Sequence, residues 1–133
     1  MTENTTAKSV CPGPGSTAAL RQQLHQQVDE IADYCESFDG RFFTFESKLK
    51  TLLWTLGRLF ISLFLLSRQQ RLQKQPQDYV GYRRFTELLR RTLRTLFDEV
   101  VYERCYWCKR KGGGGFHPLD VALGLTRDEQ NLA

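Results

Sequence analysis

The sequence predicts an α+β chain, mainly α, with an antiparallel helical pair followed by a short helix, a β-hairpin and a Gly-rich loop, behind a disordered N-terminal leader. Three observations predict it. Apolar residues recur at spacings of three and four over residues 20–38, and a nearly unbroken apolar run fills residues 52–66; both suit helices. The run VVYERCYW at 100–107 is aromatic and β-branched, which suits a pleated, half-buried surface. The glycines at 112–115 then free the backbone, because glycine alone visits all of φ space cheaply. A chain of 133 residues holds at most one domain with a modest core. Its organisation reads as a leader at 1–16, a helical hairpin at 17–76, a short helix with β-hairpin and Gly-rich loop at 77–125, and a tail at 126–133.

The leader is polar and carries Pro12, Gly13, Pro14 and Gly15 in succession, which predicts disorder. Ser16 or Thr17 can cap the first helix, whose stripe is Leu20, Leu24, Val28, Ile31, Cys35 and Phe38. Asp39-Gly40 ends it. The second helix is expected from about Glu46 to Gln75, with Thr44 as N-cap and Pro76 as the stop. It is apolar over most of its circumference and must be largely covered; Thr51, Thr55, Arg58 and Ser62 form its one polar stripe. Its apolar run of fifteen residues falls short of the roughly 20 that span a bilayer, and Arg58 sits mid-run, so membrane attachment is not the first expectation. Residues 78–89 read as a connection or short helix. Residues 90–97, RRTLRTLF, read equally as helix or strand. If a strand, Leu93 and Thr95 face opposite to Thr92 and Arg94. His117-Pro118 restarts the chain in extended form, and Leu119, Val121, Leu123 and Leu125 follow as a short apolar segment interrupted by Gly124.

Charge is unevenly placed. Residues 1–47 carry net −4, residues 48–111 net +10 and residues 112–133 net −2. A basic half of this kind suits a polyanionic partner, DNA first, though a solvated face of an interaction module explains the same residues. The candidate DNA-binding residues are Arg83, Arg84, Arg90, Arg91, Arg94, Arg104, Lys109, Arg110 and Lys111, interleaved with Tyr82, Tyr102, Tyr106 and Trp107.

Four scattered cysteines make no disulfide framework, and no secretory signal is legible, so reduced thiols and a cytoplasmic location are expected. Cys105-x-x-Cys108 is a lone pair with His117 as the only nearby third ligand, whereas a structural zinc ion needs four. No cofactor is therefore expected, and Cys105, Cys108 and His117 stand as the weak metal candidates. The glycine run lacks the Lys-Ser/Thr and following helix of a phosphate cradle. Asp120 lacks the second carboxylate that Mg²⁺ chemistry needs and reads as a cap or turn residue. No active site is legible.

FDEVVYER, followed by an aromatic pair, a glycine-rich loop and GFHPLDVALGLTRD, resembles part of a bacterial insertion-sequence transposase of the Kra-type DDE family. In that family an FGEV-type turn leads into a strand carrying a tyrosine, and a PLD…LGL block precedes the helical region ahead of the catalytic domain. The likeness covers Leu96–Asp128 and, more loosely, Phe45–Leu72; Asp98 stands where the family usually has glycine, and Glu129–Ala133 leave the pattern. It implies a β-hairpin of 90–97 against 100–107 with Asp98-Glu99 at the turn. It also implies that the catalytic carboxylates lie beyond this chain, which would be a non-enzymatic, truncated N-terminal part contributing to DNA binding or assembly in transposition. The alternative is a structural or interaction protein whose apolar helix at 46–75 mediates homo-oligomerisation or membrane attachment.

Overall fold

The computed structural model describes residues 16–74, 79–85 and 87–125. The fold is α+β: two long helices, then small antiparallel sheets and one short helix. The expected leader at 1–15 and the tail at 126–133 lie outside the described residues.

Helix α1, Thr17–Ser37, is capped by Ser16, whose Oγ accepts from the Ala19 amide at 3.1 Å. That satisfies one donor of the first turn that has no helical partner. Helix α2 spans Phe42–Lys74 and starts about four residues before the expected point, so Thr44 lies within it and is not its cap. The cause is aromatic. Tyr34 of α1 stacks on Phe45 with ring centroids 5.3 Å apart, and Phe38 lies 5.7 Å from the same ring. Helical backbone from Phe42 onward puts Phe45 in reach of both, closed by the Phe45 amide donating to the Arg41 carbonyl. From Leu20 on, the covered positions of α1 are Leu20, Leu24, Gln27, Ile31, Tyr34 and Phe38. Those of α2 begin with Phe45, Leu49 and Leu52 and include Leu56, Leu59 and Leu63. Both stripes alternate spacings of four and three, the seam of a helical hairpin. The expected stripe was therefore one residue off at two places: Val28 and Cys35 are exposed, and Gln27 and Tyr34 take the seam.

The chain divides into two compact units, Met1–Phe64 and Leu65–Ala133, so the division falls inside α2. Leu65 and Gln69, on its last turns, are almost fully buried in the second unit. Gln69 is used twice by one residue: its Nε2 donates to Cys105 Sγ at 3.0 Å and its Oε1 accepts from the Cys105 amide at 3.3 Å. By length and composition alone, α2 is long and apolar enough to cross a membrane.

Residues 82–84 form a strand, β1, Tyr82–Arg84, which corrects the expected short helix at this place. The short helix falls later, as α3, Pro118–Leu123. Strands β2, Leu89–Thr95, and β3, Asp98–Arg104, pair antiparallel from Leu89↔Arg104 to Thr95↔Asp98. The expected hairpin is present, with its turn at Leu96-Phe97, two residues earlier than Asp98-Glu99. Thr95 fixes it. Its Oγ1 donates to the Asp98 carbonyl at 2.6 Å and accepts from the Phe97 amide at 3.0 Å. Asp98 follows with φ of 86°, the left-handed step that lets a short turn re-enter the strand. Leu93, Val100 and Tyr102 are buried on one face of the hairpin. Strands β4, Trp107–Lys109, and β5, Gly115–Phe116, complete a second sheet in the order β1-β4-β5. The glycine run is thus more ordered than expected: Gly112 and Gly113 take positive φ in a turn and Gly115 enters a strand.

Candidate nucleic-acid interface

The β1-β4-β5 sheet is built by rings and by glycine turns. Tyr79 meets Trp107 and Phe116 edge-on, each at 5.0 Å between centroids, and Tyr82 meets Phe116 at 5.1 Å. Edge-to-face rings place positive edges on negative faces and add about 0.5–1.5 kcal/mol per pair beyond area burial. Gly81, at φ 83°, turns the chain into β1, and its carbonyl accepts from the Arg110 amide at 3.1 Å. A side chain on Gly115 would land against the Trp107 carbonyl and the Tyr106 ring, so only glycine fits that strand position. Register puts Tyr82 beside Lys109 and Arg83 beside Cys108.

The result is an open basic surface. Arg83, Arg84, Lys109, Arg110 and Lys111 are all exposed, and segments 79–85 and 106–117 contain no Asp or Glu. Tyr82, Arg83, Trp107 and Arg110 line a shallow groove of about 250 Å³. Cations that can meet phosphate, next to half-buried rings, are the elements of a sequence-tolerant nucleic-acid contact.

The β-hairpin adds less charge than its arginines suggest. The exposed Arg90 stands opposite Glu103, and Arg94 opposite Glu99, so carboxylates neutralise that face. Arg91 and Arg104 are largely covered, which corrects their expected place in the basic patch. Both turn to the buried side with Leu93 and Val100 and meet Asp120. Arg91 Nη1 lies 2.7 Å and Arg104 Nε 3.0 Å from Asp120 Oδ2. The Tyr102 hydroxyl donates to Oδ1 at 2.5 Å. Burial, and then the bond to Asp120, raise the Tyr102 pKa well above its usual value and keep the hydroxyl a donor. Asp120 is therefore the ionic centre that pins α3 to the hairpin, rather than only a cap or turn residue. Pro118, Leu119 and Asp120 are buried together, Leu119 completely.

The three metal candidates are spent elsewhere. Cys105 Sγ accepts from Gln69, while Cys108 Sγ lies 3.6 Å from the Arg83 carbonyl. His117 places Nδ1 3.1 Å from the Cys105 carbonyl and Nε2 3.2 Å from Arg104 Nη2. Arg104 can only donate, so Nε2 is the acceptor and Nδ1 carries the proton, a neutral ring. Burial, and then the Arg104 charge, hold the His117 pKa below its usual value. Among the described residues no group of three or more His, Cys, Asp or Glu could hold a metal ion.

Sequence reasoning named Asp120 and Tyr102 without the ionic cluster they form, and it missed Gln69. Strand alternation carried a usable signal for the first two. It already grouped Arg91 with Leu93, and Arg104 with Val100 and Tyr102, and a covered arginine calls for a carboxylate. Compared with known protein families, with curated proteins and with solved structures, the chain matches none.

Proposed function

We propose that this chain is the N-terminal, non-catalytic part of an insertion-sequence transposase and that it holds DNA through the β1-β4-β5 sheet. One observation carries the reading: five exposed cations lie on a small aromatic sheet and the turn that follows its middle strand, in segments that contain no carboxylate. Three more support it. The block that resembles the family covers the hairpin turn, both sheets' later strands and α3. Asp98, where the family usually has glycine, has the positive φ that glycine adopts without strain. Asp120 is engaged by Arg91, Arg104 and Tyr102, which suits a structural rather than a catalytic carboxylate.

Phosphate binding releases condensed counterions, so affinity for duplex DNA should fall steeply with salt. Each contact adds about 0.9 to the log–log slope. Replacing Lys109, Arg110 and Lys111 together by glutamine is expected to weaken binding across all sequences and flatten the slope by up to about three. Replacing Arg90 and Arg94 should leave the slope nearly unchanged, because Glu103 and Glu99 already face them. Filter binding between low and moderate salt measures both. A triple variant that binds as wild type, with the same slope, makes the surface a solvated face only.

A further inference from the structure

The helical hairpin of α1 and α2 has two unlike shoulders. The seam positions Leu20, Gln27 and Tyr34 of α1 are each followed by a residue on one shoulder: Arg21, Val28 and Cys35. In an antiparallel pair the residues that follow Phe45, Leu52 and Leu59 of α2 lie on the same side: Glu46, Leu53 and Phe60. Val28, Leu53 and Phe60 are 49%, 45% and 54% exposed. The opposite shoulder is polar, with Glu30 and Ser37 on α1 and Lys48 and Thr55 on α2. A connected apolar face on one side only is the mark of an interaction surface.

We propose that this face binds a second copy of the chain, related by a two-fold axis perpendicular to the helices, to form an antiparallel four-helix bundle. The occupant follows from how the face maps onto itself. Heights along the hairpin can be measured from the Tyr34–Phe45 ring pair at a rise of about 1.5 Å per residue. Val28 and Leu53 then stand at about 9 and 12 Å, Arg21 at about 20 Å and Glu46 at about 2 Å. A two-fold axis midway between Val28 and Leu53, at about 10–11 Å, carries Arg21 of one copy to the height of Glu46 of the other. This happens twice, so each copy's basic end meets the other's acidic end. The same operation brings Phe60 to the loop end of the partner, where Phe43 is 78% exposed on the matching side of α2. Apolar centre meets apolar centre and opposite charges meet at both rims.

A bilayer fits this face less well. It would have to cover the Arg21 and Glu46 charges, and α1 brings Asp29, Glu30, Asp33 and Glu36 alongside. Lys50 is drawn over the Trp54 ring, 5.2 Å from its centroid, and remains a cation that a bilayer would also have to cover.

Sedimentation velocity on the full chain, with vesicle flotation in parallel, tests the proposal. Wild type is expected to be a dimer at micromolar concentrations. Leu53→Glu with Phe60→Glu should weaken dimerisation roughly tenfold or more while keeping the helical circular dichroism, because both positions are solvent-exposed in the single chain. Arg21→Glu alone should weaken it about three- to tenfold, and Glu46→Arg added to it should restore it. That rescue is specific to the antiparallel two-fold. A wild-type monomer, a double variant that remains dimeric, or a charge swap without rescue would each overturn the proposal. So would flotation of the wild type with neutral phosphatidylcholine vesicles that the double variant loses.

Discussion

Asp120 sits on the first turn of α3 with two arginines on one of its oxygens and a tyrosine hydroxyl on the other. A buried ion pair of this kind contributes little net stability while it is complete, because desolvation offsets attraction. Breaking it is another matter. Asp120→Asn leaves two largely covered guanidinium groups without that counter-charge, at a cost of about 3–5 kcal/mol. Urea denaturation followed by near-ultraviolet dichroism of Trp107 should show that loss, and an unchanged midpoint would contradict the pinning role. His117 makes the same region pH-sensitive. Its pKa is depressed by burial and by Arg104, so the unfolded chain binds its proton first as pH falls. Its contribution is therefore complete above the unfolded value of about 6.5 and declines as pH drops below it toward the depressed folded value. Stability should fall between pH 7.5 and pH 5 by more in wild type than in His117→Gln. Parallel curves for the two proteins would remove His117 as the cause.

At the scale of elements, the β2–β3 hairpin shows how one turn residue is tolerated. Asp98 holds a φ of 86°, a region that costs most L-residues about 1–2 kcal/mol. Its own Oδ1 recovers part of that by accepting from the Glu99 amide at 2.8 Å. Alanine there would keep the strain and lose the bond, and glycine would lose the bond and the strain together. Asp98→Gly should accordingly be more stable than Asp98→Ala by about 1 kcal/mol. Equal thermal midpoints for the two would place the turn elsewhere. Helix α2 teaches a different lesson. Its apolar run made a helix legible but not its state: the expected covering is absent at Leu53, Trp54, Phe60 and Phe64, which are exposed, and the start at Phe42 depends on Tyr34 and Phe38, which no local cap signals. The strand at 82–84 is likewise too short to show a period. It exists because Tyr79 and Tyr82 find Trp107 and Phe116, 28 to 37 residues on.

For the whole molecule, what the sequence by itself determined is whatever rests on local periodicity and local backbone preference. The spacing of three and four announced the first long helix, and the apolar run announced the second. His117-Pro118 announced an extended entry, seen at φ −109° and ψ 109°, ahead of the last helix. The aromatic and β-branched run, helped by the resemblance, announced a hairpin. What tertiary structure decided is partnership. Composition counts nine basic residues over 77–111. Only folding sorts them into Arg91 and Arg104 buried on Asp120, Arg90 and Arg94 opposite glutamates, and five left open to solvent. Likewise, it is the rotation of the α1 seam onto Gln27 and Tyr34 that turns Val28 outward. The physical reason is the same in both cases. Propensity and period act between neighbours along the chain, whereas the state of a charge or an apolar side chain is set by whatever group lies across from it. That group can stand 29 residues away, as Asp120 does from Arg91.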